Sequence, residues 1–513
     1  MNDWSSGYVS EVNYTFGYYR ELSPLMLEFA LLSRQIDFRR GKPMRYLELG
    51  FGQGVSLNVH AAAVPGEYWG TDFNPAQAAT AQDMADASRA DLRVLDNSFA
   101  ELAARTDLPE FDMIVLHGIW SWISDENRQA IVNIIRHRLA PGGIVYISYN
   151  STPGWSAAMP LRHIMTLHAD LASGRAGDMQ TRINGALAFA QQVADSGSAY
   201  FKQNPHVVER LKKISEQNRN YLAHEYFNAD WLPMSFSDVT SLLESAKLSF
   251  AASSNLIDHV DAVNLSQEQQ ELLGKQSNIT LRESVRDYMI NQQFRRDIWI
   301  KGPRRLSAPE QARRLNAMRF VLLSQRSTVP MHVQGARGQA QVQEEVYAPI
   351  LDELARNNHA PKTFGEIVEA LPKIGFGRAA QAILLLVGAG HVSPAQAANV
   401  AQEVKPRCQA LNKHIIRLSE STADVGVLAS PVTAGAVNVT RMEQIFIAAL
   451  GAGKNDAKAI AKAAWGVLKP QGHKVGKDGK ALETDDENLT ELASQAKVML
   501  DTRLPILKAA GVV

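Results

Sequence analysis

The stretch RYLELGFGQGVS, residues 45–56, sets a carboxylate, Glu48, two residues ahead of the first of three glycines, Gly50, Gly52 and Gly54. A short apolar run entering a glycine turn and then a helix is a cradle for a nucleotide-like cofactor. Glycine lets the backbone approach a ligand, and the helix N-terminus offers free N–H groups. Dinucleotide sites use G-x-G-x-x-G, whereas the spacing here is G-x-G-x-G, and Glu48 would repel a pyrophosphate. The carboxylate suits a ligand with positive charge beside the turn, and S-adenosylmethionine carries both a sulfonium and an ammonium group.

A second acid supports that reading. Asp72, followed by Phe73 in YWGTDFNP, ends the next predicted strand 22 residues after Gly50, where doubly wound folds place the carboxylate that accepts both ribose hydroxyls. Asp72 could instead cap the helix from Pro75, but Asn74 is better placed for that. After a third strand, Asp96, Asn97 and Ser98 stand where an adenine amino group is read, although Asn and Ser are also common turn formers. The run FDMIVLHGIWSWI adds His117, Trp120 and Trp122 just past a strand end, and YISYN adds Tyr149 and Asn150. Trp120, Tyr149 and Asn150 are expected to face the transferable methyl, with His117 behind or beside them. Equally, Trp120 and Trp122 suit a core, and a lone histidine at a strand end is commonly structural.

The elements that must position these residues read as an α/β pattern. Residues 44–148 alternate β-like runs (MRYLEL, YWGTDF, LRVLDN, FDMIVLHG, GIVYIS) with helical stretches, which predicts a parallel sheet. A helical insertion follows at about 161–226, then a late strand, LSFAASSNL, at 248–256. Residues 279–302 read as helical, 327–345 as a linker or exposed ribbon, 346–400 as a small winged-helix-like module, and 469–488 as a mobile loop. The expected division is 1–263 for the cofactor domain, 264–345 for a middle or regulatory domain, and 346–513 for a C-terminal winged-helix-like and helical domain. A fragment of 1–263 is then expected to bind cofactor by itself.

Together these stretches resemble a class I S-adenosylmethionine-dependent methyltransferase. HGIWSWI, SYNSTPGW, HEYF and VRDYMINQQFRRDIWIKG extend the resemblance to methyltransferases with a methyltransferase regulatory domain, among them bacterial protein-lysine methyltransferases that modify an outer-membrane surface protein. The resemblance implies a Rossmann-like seven-stranded core with largely helical middle and C-terminal domains, S-adenosylmethionine as cofactor, no metal, and a lysine amine of a protein as acceptor. The entry segment VNYTFGYYRELSP departs from the threonine-histidine-proline of the protein-lysine enzymes, which points to a branch with another acceptor. Tyr14, Tyr18 and Tyr19 suit a lid or helix packing, Trp155 an aromatic wall, and Glu225 a proton acceptor or an anchor for the inserted helices. The alternatives are a small-molecule or sugar methyltransferase and a cofactor-binding protein without transfer activity.

Bulk properties bound the rest. A chain of 513 residues predicts about three domains at roughly 150 residues each. Lys+Arg 53 balances Asp+Glu 53, so no charge excess advertises a nucleic-acid partner. The single cysteine, Cys408, excludes an internal disulfide and a thiolate metal cluster and fits a reducing compartment. The N-terminus shows no basic-then-apolar leader and no apolar run approaches a spanning helix, so a cytoplasmic protein without membrane insertion is expected. Oligomeric state is not readable from these features.

Overall fold

The computed structural model describes residues 15–38, 40–172, 178–477 and 479–513. Its centre is a seven-stranded sheet in the order β3-β2-β1-β4-β5-β7-β6. The strands are β1 (Arg45–Leu49), β2 (Glu67–Thr71), β3 (Leu92–Leu95), β4 (Phe111–Leu116), β5 (Leu139–Asn150), β6 (Leu248–Ser253) and β7 (Phe294–Lys301). The first five are parallel, and β7 runs antiparallel to both β5 and β6. This is the Rossmann-like methyltransferase core with flanking helices.

Strand alternation sorts the sheet's side chains onto two faces. Tyr46, Met113, Val115, Ile144 and Tyr146 join a core with α1 (Pro24–Ser33). Leu47, Ile114, Val145, Ile147 and Tyr149 join the opposite core. The helices α2 (Val55–Ala63), α3 (Pro75–Ser88), α4 (Phe99–Ala104) and α5 (Asp125–Arg138) connect the parallel strands. Asn74 caps α3 by accepting from the Ala76 N–H at 3.0 Å.

The insertion forms α6 (Met159–Leu171), α7 (Met179–Asp195), α8 (Ala199–Gln203), α9 (Pro205–Ser215) and α10 (Arg219–Tyr226), around a separate apolar core. Helix α11 (Phe236–Glu244) leads into β6. Then α12 (Asp261–Asn264), α13 (Gln267–Gly274) and α14 (Ile279–Ile290) precede β7. The helical reading of 279–302 therefore holds only for its first half. The second half is β7, whose Arg295 and Asp297 hide a strand pattern because they are charged yet buried. Each is at most 5% exposed, and they pair at 2.8 Å.

Beyond the sheet, α15 (Ala308–Ala317) precedes β8 (Arg319–Leu322), and β9 (His332–Gly335) with β10 (Gly338–Gln341) forms the ribbon expected at 327–345. Helices α16 (Glu344–His359), α17 (Phe364–Ala370) and α18 (Phe376–Gly388) pack with a three-stranded sheet of β8, β11 (Lys362–Thr363) and β12 (Val392–Ala395). The remaining chain includes α19 (Ala398–Leu418) and the hairpin β13 (Val427–Ser430) and β14 (Gly435–Asn438). Within 469–488, read as a mobile loop, a short hairpin pairs Gly476–Lys477 with Lys480–Ala481, and a helix starts at Asp485.

The C-terminal region closes over the cofactor core. All nine residues of α2 are buried, and its outer residues Val55, Val59, Ala62 and Ala63 share a core with Cys408 and Leu411 of α19. A helix buried on every side, its polar Ser56, Asn58 and His60 included, needs cover all round. Gln396 Nε2 donates to the Ala63 carbonyl at 2.8 Å and fixes that contact. No helix among the described residues is long and apolar enough to cross a membrane.

Candidate cofactor and acceptor site

The cavity at the C-terminal ends of β1, β2 and β4 is lined by Glu48, Gly50, Gly52, Asp72, Phe73 and His117, among others. Gly50, Gly52 and Gly54 hold φ of 72°, 58° and 75°, a left-handed run that side-chain-bearing residues resist. Space is short as well. A Cβ on Gly50 would stand 2.4 Å from Ile119 Cδ1, and one on Gly54 2.4 Å from Ala81 Cβ.

Asp72 organises this turn. Its Oδ2 accepts from the Gly52 N–H at 2.9 Å and its Oδ1 from the Asn74 N–H at 3.1 Å. Gln77, in the amide orientation that satisfies its neighbours, donates to both oxygens at 3.1 and 3.2 Å. Burial pushes the Asp72 pKa up to about 6, against those backbone bonds. Glu48 is 3% exposed, with the Tyr46 hydroxyl 3.4 Å from its Oε2. Burial lifts its pKa to about 8; the Tyr46 bond opposes the rise and the nearby Asp72 adds to it. A desolvated carboxyl that has no basic side chain beside it among the described residues is the complement of a cationic ligand.

His117 is held as a neutral ring. Its Nδ1 is 2.8 Å from the Tyr146 hydroxyl, Tyr19 stacks on it at 3.9 Å, and burial pulls its pKa down to about 4. Tyr19 belongs to a strap, residues 15–23, whose Thr15 and Gly17 also line the cavity. Arg20 ties the strap to the end of α18 by donating to the carbonyls of Val387 (3.0 Å) and Gly388 (2.6 Å). Tyr18 turns the other way, its hydroxyl accepting from the Ala436 N–H at 2.9 Å. Tyr14 lies outside the described residues.

Other expected residues are distributed as follows. Asn97 and Ser98 line the cavity, while Asp96 is exposed and outside its lining. Ser98 also caps α4 in a capping box with Glu101. Trp120, expected to face the acceptor, is fully buried in the sheet core, and Trp122 lines the cavity in its place. The two bracket a one-turn 3-10 helix, in which residues two apart point in different directions. Tyr149, expected beside it, is fully buried, with its hydroxyl donating to Asp297 Oδ2 at 2.8 Å. Alternation on β5 sends Tyr146 toward His117 and Tyr149 to the opposite face. Asn150 is 4% exposed and has a buried Nδ2 without a partner. Its main chain is fixed by Ser121 Oγ, which accepts the Asn150 N–H at 2.8 Å. Trp155 packs in the insertion, with the Arg210 guanidinium 3.8 Å over its ring.

Sequence reasoning did not single out Ile119, Ile123, Phe99, Gln77 or Asp230, all cavity-lining. The apolar trio flanks the assigned His117, Trp122 and Ser98 and was open to the same argument. Asp230 arrives from the far end of the insertion, with no local motif to announce it.

Comparison with known proteins agrees with this architecture. A family model described as "Methyltransferase domain" matches residues 47–143, and one described as "Predicted methyltransferase regulatory domain" matches 218–301. The uncharacterized protein sll1526 of Synechocystis is 39% identical over 514 residues, covering 99% of each chain. The uncharacterized protein RP789 of Rickettsia prowazekii is 26% identical over 262 residues, 49% of this chain and 45% of that one. Among solved structures, PKMT2 from Rickettsia typhi in complex with AdoHcy aligns at 16% identity with a TM-score of 0.68, covering 97% of this chain and 99% of that one. The chain belongs to the family of sll1526, methyltransferases that join a methyltransferase domain to a methyltransferase regulatory domain. Its cofactor is S-adenosylmethionine, and the residues fit it: a buried carboxyl for positive charge, a second acid at the end of β2, and a glycine turn without room for side chains.

One pH effect follows from Glu48. Its folded pKa of about 8 lies above the ordinary value of 4.5, so the proton is held more tightly in the folded state. The stability this confers is complete below pH 4.5 and is lost as pH rises through about 8, at up to roughly 1.4 kcal/mol per pH unit. Glu48→Gln escapes that loss. The ligand-free variant should melt above the wild type at pH 9 and near it at pH 5, while binding S-adenosylmethionine about tenfold more weakly at pH 9. Melting curves and calorimetry at both pH values check this. Equal melting at pH 9 would show that Glu48 is not desolvated.

Proposed function

We propose that this protein transfers methyl groups from S-adenosylmethionine to lysine side-chain amines of a protein substrate in the cytoplasm. The observation that carries the reading is the extent of the likeness to PKMT2 from Rickettsia typhi, beside the resemblance of HGIWSWI and VRDYMINQQFRRDIWIKG to bacterial protein-lysine methyltransferases. It runs through the insertion, regulatory and C-terminal parts and is not confined to the cofactor core.

S-adenosylmethionine supplies an electrophilic methyl on a sulfonium. The chain's part is alignment, exclusion of water and control of the acceptor's proton. Glu48, Asp72 and the glycine turn bind and orient the cofactor, with Phe73, Asn97 and Ser98 along the adenosine side. Tyr19, stacked on His117, and Trp122 give the cavity aromatic faces. Such faces tolerate an ammonium group through cation–π attraction worth about 0.5–2 kcal/mol. His117, neutral at physiological pH, leaves the wall uncharged.

A lysine must lose its proton before it attacks, and in this reading Glu225 of α10 accepts it. Burial raises its pKa to about 7. Tyr221, one turn earlier on α10, interacts electrostatically with both Glu225 and Tyr19 of the strap. A carboxylate of raised pKa is the stronger base and is ionised above pH 7. Turnover should therefore rise with pH through about 7. Glu225→Gln should flatten that limb and lower kcat about tenfold or more, with S-adenosylmethionine affinity within twofold of wild type. An unchanged pH profile would leave Glu225 as an anchor of the inserted helices.

The substrate class is tested by supplying methyl-labelled S-adenosylmethionine and cell extract separated by size. Label in the protein fraction supports the reading. Label in the small-molecule fraction alone would make the enzyme a metabolite or sugar methyltransferase, and label in neither, with cofactor bound, a cofactor-binding protein.

A further inference from the structure

A second cavity, of about 690 Å³, lies at β6, one of the two edge strands of the sheet. It sits between the segment leaving α1 (residues 33–36), helix α14, and the segment around Arg305, and shares no lining residue with the cofactor cavity. The cofactor chemistry therefore leaves it unexplained.

Its charges are uneven once pairing is counted. The three acids Glu283, Asp287 and Asp297 all converge on one guanidinium, Arg295, at 3.1, 2.6 and 2.8 Å. Arg286 pairs with Asp261 and donates to the Asp258 carbonyl at 2.9 Å. Arg34, Arg282, Arg296 and Arg305 are left on the walls. Arg282 has only a 3.9 Å approach to Glu283, which already serves Arg295. Among the described residues Arg34 and Arg305 form no side-chain hydrogen bond or ion pair. The Arg296 Nε is buried without a hydrogen-bond partner, and its nearest carboxylate, Glu21, is 3.8 Å away.

These groups crowd one another. Arg34 is exposed as a residue, yet desolvation lowers the pKa of its guanidinium; the charges of Arg286 and Arg282 lower it further, against Glu283 and Asp261. A solvated arginine face keeps like charges apart, whereas here they converge on one half-open cleft. The guanidinium fork matches phosphate oxygens in bidentate geometry. The volume is that of a whole small-molecule site and exceeds what a bare ion needs. On the same wall Asp258 accepts from Ser253 Oγ and Asn255 Nδ2 at 2.8 and 2.9 Å, a carboxyl suited to reading hydroxyl or amino donors on the rest of a ligand.

We propose that this cavity binds a phosphate-bearing small molecule of nucleotide or sugar-phosphate size, with Arg34, Arg282 and Arg305 on its phosphate and Asp258 toward its hydroxyl or amino groups. The test is calorimetry on the full chain, with saturating S-adenosylhomocysteine blocking the cofactor cavity. The probes are inorganic phosphate, pyrophosphate and metal-free adenosine triphosphate, with citrate as a polycarboxylate control. Pyrophosphate or the triphosphate should bind saturably and more tightly than citrate. The double variant Arg34→Ala, Arg282→Ala should weaken that binding at least tenfold, and the exposed Arg305→Ala several-fold, with S-adenosylhomocysteine affinity and melting temperature unchanged. No binding of any phosphate probe, equal binding of citrate, or full binding by Arg305→Ala and the double variant would overturn the proposal.

Discussion

A fragment ending at Val263 is expected to show no cooperative melting transition and no binding of S-adenosylmethionine. It would contain six strands of the sheet and lack β7, the one that lies between β5 and β6. Every residue from Ile144 to Asn150 of β5 pairs with β7, as does most of β6. Without β7, β6 would have to pair with β5 directly or leave the sheet, and a register change in a two-sided buried strand reverses its faces. Trp299 and Ile300, both fully buried, would be lost with it. The cut also strips α19 from α2 and bares Val55, Val59, Ala62 and Ala63. Circular dichroism melting and calorimetry on the fragment check this. A native-like transition with wild-type cofactor affinity would show that β7 and α19 are dispensable.

Asp72→Ala should lower S-adenosylmethionine affinity by roughly tenfold to a hundredfold, in a protein that still folds. Hydrogen bonds to a charged group are worth about 1.5–3 kcal/mol, and this carboxylate has two tasks. It holds the N–H groups of Gly52 and Asn74 and so fixes the glycine turn, and in the proposed function it would present charge to the ribose hydroxyls. Asp72→Asn keeps one acceptor oxygen and should fall between alanine and wild type. Calorimetry on both variants, beside their melting curves, measures the effect. Wild-type affinity in a folded Asp72→Ala protein would remove the ribose assignment.

Local features of the fold and site are legible in the amino-acid sequence, whereas contacts between distant parts of the chain are not. The glycine turn, Glu48 and Asp72 lie within 25 residues of one another, and their spacing is set by the strand–turn–helix geometry that brings them together. β7 is concealed because Arg295 and Asp297 read as helical surface, and their compensation by Tyr149, Asp287 and Glu283 depends on contacts across the sheet. Trp120 and Trp122 are identical in type and two apart, so only the 3-10 turn between them decides which one meets the cavity. Tyr19 is visible in the sequence as one of several strap aromatics. Its selection over Tyr18 rests on α18, which takes the hydrogen bonds of Arg20, and on β14, which holds Tyr18, both far along the chain from the strap.

The most direct test of the account is amino-acid analysis of protein labelled by this enzyme with methyl-labelled S-adenosylmethionine. After acid hydrolysis the account predicts the label in ε-N-methylated lysine, and roughly a tenth or less of it formed by an Asp72→Ala enzyme at limiting cofactor. Label recovered on another side chain, released by mild base as a carboxyl ester, or found only in small molecules would contradict a lysine acceptor.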